Sequence, residues 1–238
     1  ILSRDGPNLT ALSGYAGGIR LNSLGTACYG DYDSNGHTEV VEVRIPRSSI
    51  PAFAAVFWGL FVGKNRVDVM DQGPGYRAAL GLPGGMSSSL LQEVDASQEG
   101  HVSQRFQLLE GSGNDRDTLG EALVWVYDSE RFPFYQAELF HQFHDDFMPG
   151  GDYPASYNIE ARNQVLSVCR MRSTGCPDDQ SVTCGEQTYS QNLGRHGGGS
   201  GGSGLGMLDG GGSSSSRSSR FSPAGALLGV SLRMVSAA

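Results

Sequence analysis

Residues 38–45, "TEVVEVRI", alternate with a period of two: Val41, Val43 and Ile45 share one face, and Val40, Glu42 and Arg44 the other. Alternation in a run of β-branched residues predicts a strand. Glu39 has the parity of the apolar face, so its carboxyl leans toward a core. Ser48 and Ser49 then cap a predicted helix from about Ile50 to Leu60, with Pro51 tolerated in its first turn. Residues 67–85 are rich in Gly and Pro and read as a loop with little regular structure. "EALVWVYD" (121–128) predicts another strand. "PFYQAELFHQFHDDF" (133–147) predicts an amphipathic helix, because Phe140, Phe143 and Phe147 recur at helical spacing. Residues 86–120 read as a polar, surface-exposed insertion.

A chain of 238 residues suffices for one domain of moderate size with a tail. Its hydrophobic content, 38%, is low because 35 residues are glycine, many of them late in the chain. From Gly194 to Arg220 the composition is that of a flexible Gly/Ser linker, which rarely orders itself unless an assembly holds it. The expected plan is therefore a domain over 1–193, a linker over 194–220 and a short apolar tail over 221–238. A formal charge of −8, without a local Lys/Arg cluster, disfavours nucleic-acid binding. No apolar run is long enough to span a membrane: one candidate holds Pro51 and the other is interrupted by Arg233. The start at Ile1 rather than Met reads as a processed chain and points to an organelle, chloroplast or mitochondrion.

Five short stretches follow in order: "GYAGG" (14–18), "GHTEVVEV" (36–43), "VFW" (56–58), "DQGPGYR" (71–77) and "FYQAELFHQ" (134–142). Together they resemble the peptide methionine sulfoxide reductase A family, which reduces the S epimer of methionine sulfoxide. "CYG" (28–30) also matches that family's Cys-x-Gly. The resemblance is strongest over residues 10–150 and implies an α+β fold, a two-layer α/β sandwich of the ferredoxin-like type, here with a Gly/Ser-rich C-terminal extension. It also implies roles. A thiolate attacks the sulfoxide sulfur while the departing oxygen is protonated and hydrogen-bonded. The family's acid, two tyrosines and supporting aspartate correspond to Glu39, Tyr15, Tyr76 and Asp71. Parity supports Glu39 independently, since a desolvated carboxyl has a raised pKa and suits a general acid.

The family's nucleophile motif, Gly-Cys-Phe-Trp, lies before GYAGG. The thirteen residues ahead of Gly14 hold no cysteine, so Phe57-Trp58 is the family's non-catalytic Phe-Trp helix. Cys28 stands alone, and Cys169, Cys176 and Cys184 fall where many members keep resolving cysteines. Their surroundings do not match the family's ending, so a resolving role, a structural disulfide and free buried thiols all stay open. No Cys-x-x-Cys pair is present, which argues against zinc. Glu138 and His141 form one Glu-x-x-His, where a di-iron site needs two. "FVG" (61–63), "NRVDVM" (65–70) and Pro74-Gly75 depart from the family's pattern around the pocket.

Two readings result. Without the family's first strand the sheet has an edge or gap for a partner to fill. The favoured reading is then a non-catalytic structural or accessory subunit of a larger assembly, in an organellar membrane or photosynthetic complex. The alternative is an active reductase of oxidised methionine in proteins. Its nucleophile would lie upstream of Ile1, with thioredoxin or another dithiol as reductant and no bound cofactor. A third class, a module that binds oxidised methionine without reducing it, predicts affinity without turnover.

Overall fold

The structure, a computed structural model, describes residues 10–143, 155–177, 179, 181, 182 and 230–234. It is an α+β fold. The strands are β1 (Thr10–Ala16), β2 (Thr38–Ile45), β3 (Phe61–Val62), β4 (Asn65–Arg66), β5 (Ala79–Leu82), β6 (Gln107–Glu110), β7 (Leu123–Asp128), β8 (Tyr135–Gln136) and β9 (Val230–Met234). The helices are α1 (Ile50–Trp58), α2 (Leu91–Ala96) and α3 (Ala155–Ser167). Seven strands form one sheet in the order β6-β7-β5-β9-β2-β1-β8, and β3 and β4 form a separate hairpin. Only the β6–β7 and β7–β5 pairs are parallel; from β5 through β9, β2 and β1 to β8 the neighbours run antiparallel.

The alternation in β2 settles which face each helix covers. Val43 and Ile45 turn toward α1, whose Ile50, Ala54, Phe57 and Trp58 recur at helical spacing and bury one face. Leu80 and Leu82 of β5, Val124 and Val126 of β7 and Val94 of α2 complete this core. Trp58 is fully buried and donates its indole N–H to the Val94 carbonyl at 2.9 Å. On the opposite face Leu12 packs with Leu139, Met171 and the α3 residues Val165 and Leu166.

Several expectations need correction. Residues 79–82, placed in a loop, are a wholly buried strand, because β7 and β9 pair with its two edges. Residues 86–120 are not a surface insertion: Leu90, Val94 and Phe106 enter the core, and β6 extends the sheet. The helix expected over 133–147 does not form among its described residues. Tyr135 instead pairs with Tyr15 of β1. The Gln142 amide bonds the Ser13 backbone in both directions, accepting from its N–H at 2.9 Å and donating to its carbonyl at 2.8 Å. These long-range bonds outweigh the local periodicity.

The sheet's interior holds the largest departure from the sequence reading. Residues 230–234, assigned to a tail beyond the domain, lie between β2 and β5. Leu232 stands opposite Val43, and Met234 opposite both Val41 and Leu80. The gap expected to await a partner is filled by the chain itself.

Candidate functional site

The site lies where β1 and β2 leave the sheet together, with Tyr15 directly opposite Glu39. A buried arginine organises that end. Arg77, wholly inaccessible to solvent, donates to the carbonyls of Pro74 (2.7 Å), Gly36 (2.9 Å) and Gly17 (3.2 Å) and to the Tyr127 hydroxyl (2.8 Å). It therefore ties together GYAGG, the glycine before His37 and the loop before Tyr76. Gly17 has φ +80°, and a Cβ there would sit 2.9 Å from the Arg77 guanidinium, so the position needs glycine on two counts. His37 Nδ1 accepts from the Gly18 N–H at 3.3 Å while its Nε2 meets the Arg20 carbonyl at 2.7 Å. Burial lowers its pKa and favours the neutral ring that this pairing requires. Thr38 adds a bond to the Gly75 carbonyl at 2.7 Å.

Within this frame the polar side chains form an outer and an inner group. In the outer group the Tyr32 hydroxyl donates to Glu39 Oε1 at 2.9 Å, and the Tyr76 hydroxyl lies close enough to interact electrostatically with both Tyr32 and Glu39. Burial raises the Glu39 pKa against the opposing Tyr32 bond, and the Asp71 charge raises it further. Asp71 is itself raised by burial and by Asp68, with Arg66 opposing. Arg66 fixes this loop by donating to the Asp71 carbonyl and to Asp117 Oδ1. Glu39 and Tyr76 are partly accessible to solvent, whereas Tyr32 is buried.

The inner group is sealed. The Tyr15 hydroxyl donates to Glu138 Oε2 at 2.9 Å, and the Tyr29 N–H donates to Oε1 at 2.8 Å. Burial first, and then the Glu138 charge, push the Tyr15 hydroxyl far above its ordinary pKa, so it stays protonated. Beside Glu138 lies a disulfide joining Cys28 to Cys176, both buried; the sulfurs and a Glu138 oxygen are mutually within 4.8 Å. Paired in a disulfide, those sulfurs offer no thiolate to a metal. The two groups meet through the Tyr15 and Tyr32 rings, stacked 4.6 Å apart at an interplanar angle of 11°.

The four residues expected from the sequence, Tyr15, Glu39, Asp71 and Tyr76, thus share one region, but the geometry divides them. Tyr15 turns its hydroxyl to Glu138, and the tyrosine that meets Glu39 is Tyr32. Sequence reasoning passed over Tyr32, although it lies five residues before His37 and two after the matched "CYG" (28–30). It also read Cys28 as solitary, since its partner is 148 positions away. Of the late cysteines, Cys176 is the one in this site. Cys169 is also disulfide-bonded, and Cys184 lies outside the described residues. His141 is absent from the Cys28–Glu138–Cys176 group, and its ring packs 4.7 Å from that of Tyr29.

Chemically, the outer group presents a carboxyl whose pKa burial raises and the Tyr76 phenol at a partly open surface, with the buried Tyr32 phenol behind them. This suits an uncharged oxygen acceptor that gains negative charge as it reacts. No family model, curated protein or solved structure matches the chain.

Proposed function

We propose that this chain carries a peptide-methionine (S)-S-oxide reductase-like site, in which Glu39, Tyr32 and Tyr76 grip the sulfoxide oxygen. The observation that carries the reading is the Tyr32–Glu39 hydrogen bond on a carboxyl whose pKa burial has raised. A protonated Glu39 donates to the oxygen in the ground state and delivers its proton as the S–O bond breaks. The ferredoxin-like part of the finer fold type draws support from the antiparallel run β5-β9-β2-β1 backed by α1, while α3 on the opposite face departs from a two-layer sandwich.

Turnover requires a thiolate within reach of the sulfoxide sulfur. Among the described residues no cysteine is free. A second reading is that the site recognises oxidised methionine without reducing it while the chain serves an assembly.

Titration calorimetry with an S-sulfoxide peptide, its R epimer and the thioether tests the reading. Micromolar binding of the S epimer is expected, with the other two at least about tenfold weaker, the worth of one hydrogen bond of roughly 1.4 kcal/mol. Equal or absent binding of all three overturns it. Turnover of the bound peptide with dithiothreitol then separates the enzyme from the non-catalytic subunit.

A further inference from the structure

We propose that Cys28, Cys176 and Glu138 are the oxidised state of a zinc site. Once a dithiol reduces the disulfide, the two thiolates and the Glu138 carboxylate hold one Zn²⁺. This site belongs to the inner group alone and is independent of the sulfoxide reading.

The donor set comes first. The two sulfurs and a Glu138 oxygen lie mutually within 4.8 Å, and all three residues are buried. Tetrahedral zinc, with sulfur at about 2.3 Å and oxygen at about 2.1 Å, needs its ligand atoms about 3.6–3.8 Å apart. With the bond between the sulfurs cut, side-chain rotation reaches that spacing across the 5.7 Å between the Cα atoms. Thiolates select zinc over Ca²⁺ and Mg²⁺, which take oxygen ligands. The missing Cys-x-x-Cys pair does not count against the site, since the fold draws its ligands from positions up to 148 apart.

Hydrogen bonds other than the disulfide hold each ligand in place. The Cys28 N–H donates to Asp31 Oδ1 at 2.9 Å, and the Asn22 amide donates to Asp31 Oδ2 at 2.9 Å and to Cys28 Sγ at 3.2 Å. A donor on the sulfur favours its thiolate form. Glu138 is oriented by the Tyr15 hydroxyl and the Tyr29 N–H, as supporting partners orient metal ligands. The turn bearing Cys176 is pinned by Asp179, which accepts from Thr174 and from the N–H of Leu139, the residue after Glu138. Reduction leaves all of these bonds intact.

Charge favours a cation here. Glu138 is 2% exposed and forms no ion pair among the described residues. A buried carboxylate without a counter-charge is costly. The steps balance: the dithiol gives two electrons and two protons to the S–S bond and becomes a disulfide itself, and Zn²⁺ then displaces both thiol protons to solvent. Three protein ligands leave the fourth position to water.

The test uses the full chain carrying Cys169→Ser and Cys184→Ser, which removes the other thiols. It is reduced with dithiothreitol, desalted under argon and titrated with Co²⁺, then with Zn²⁺. One Co²⁺ per chain is expected, with a thiolate-to-cobalt charge-transfer band that Zn²⁺ abolishes, and none before reduction. Adding Glu138→Gln should weaken binding at least about tenfold. No binding by the reduced chain, equal binding before reduction, or unchanged affinity with Glu138→Gln overturns the proposal. Should the variants misfold, the reduced wild-type chain is alkylated with iodoacetamide, with and without Zn²⁺, and mapped by mass spectrometry. Zn²⁺ should slow modification of Cys28 and Cys176 at least about tenfold and leave Cys169 and Cys184 unchanged. No protection, or protection of the other pair alone, overturns the site.

Discussion

At one end of β2, Ile45 is 1% exposed and belongs to an apolar cluster with Ile50, Phe57 and Trp58 of α1. At the other end, His37, Thr38 and the neighbouring Arg77 are equally inaccessible, yet each carries a polar side chain with named hydrogen-bond partners. The first end is held by area and volume, which neighbours share and can partly redistribute. The second is held by assigned partners: four acceptors bond to Arg77, and two backbone groups bond to His37. The two ends should therefore respond differently to substitution. The apolar end should lose stability in proportion to the atoms removed. The polar end should fail in steps, because one deletion leaves several groups without partners.

The sharpest way to break this comparison is Arg77→Met. It keeps much of the side-chain volume but takes the guanidinium donors from the Gly17 and Gly36 carbonyls, while the Pro74 carbonyl keeps the backbone N–H of residue 77 and the Tyr127 hydroxyl keeps Asp115, and should cost about 3–5 kcal/mol in urea unfolding. Ile45→Val at the other end should cost about 1 kcal/mol. Equal losses would mean that the polar end is no more fragile than the core.

The disulfide comes next in expected effect. Cys28–Cys176 ties residues 148 positions apart and holds the segment after α3 against the inner group. Replacing both with Ser should cost about 2–4 kcal/mol by thermal unfolding, mainly by freeing the unfolded chain. A loss below about 1 kcal/mol would mean that the hydrogen bonds of Asp179 to the Leu139 and Thr174 N–H groups suffice to hold the segment.

How far the sequence showed these two ends follows from the range of the interactions. The period of two in β2 and the spacing of α1 are local, so both elements and the buried parity of Val43 and Ile45 were legible. The motif glycines and tyrosines were also visible, because the backbone around Gly17 and Gly36 admits little else. The strand at 135–136 was not, since β1 imposes it against a good helical pattern. Nor was the Cys28–Cys176 bond or the entry of residues 230–234 into the sheet, each a contact across more than a hundred positions. The Tyr15–Glu138 pairing belongs with them: the residues were visible, but which hydroxyl met which carboxyl was decided in three dimensions.

The smallest expected effect tests the polar end through pH. An unfolded Glu39 ionises near 4.5, and in the folded chain burial raises that value. Between the two values the folded state holds a proton that the unfolded chain has released, so stability falls as pH rises through this window. His37 acts over a different range: its lowered pKa means that the unfolded ring takes up a proton first as pH falls below about 6.5, and stability declines there on acidification. Glu39→Gln keeps the His37 contribution and removes only the first. The melting curves of wild type and variant should therefore converge in acid, with the wild type dropping below the variant as pH rises past the Glu39 value. The separation should be the smallest of the effects considered, since the carboxyl is partly solvated. Sulfoxide-peptide affinity should follow the same titration in the wild type, strongest where Glu39 is protonated, and be flat across that window in the variant. A wild type whose affinity is also flat would take the proton, and with it the acid role, away from Glu39.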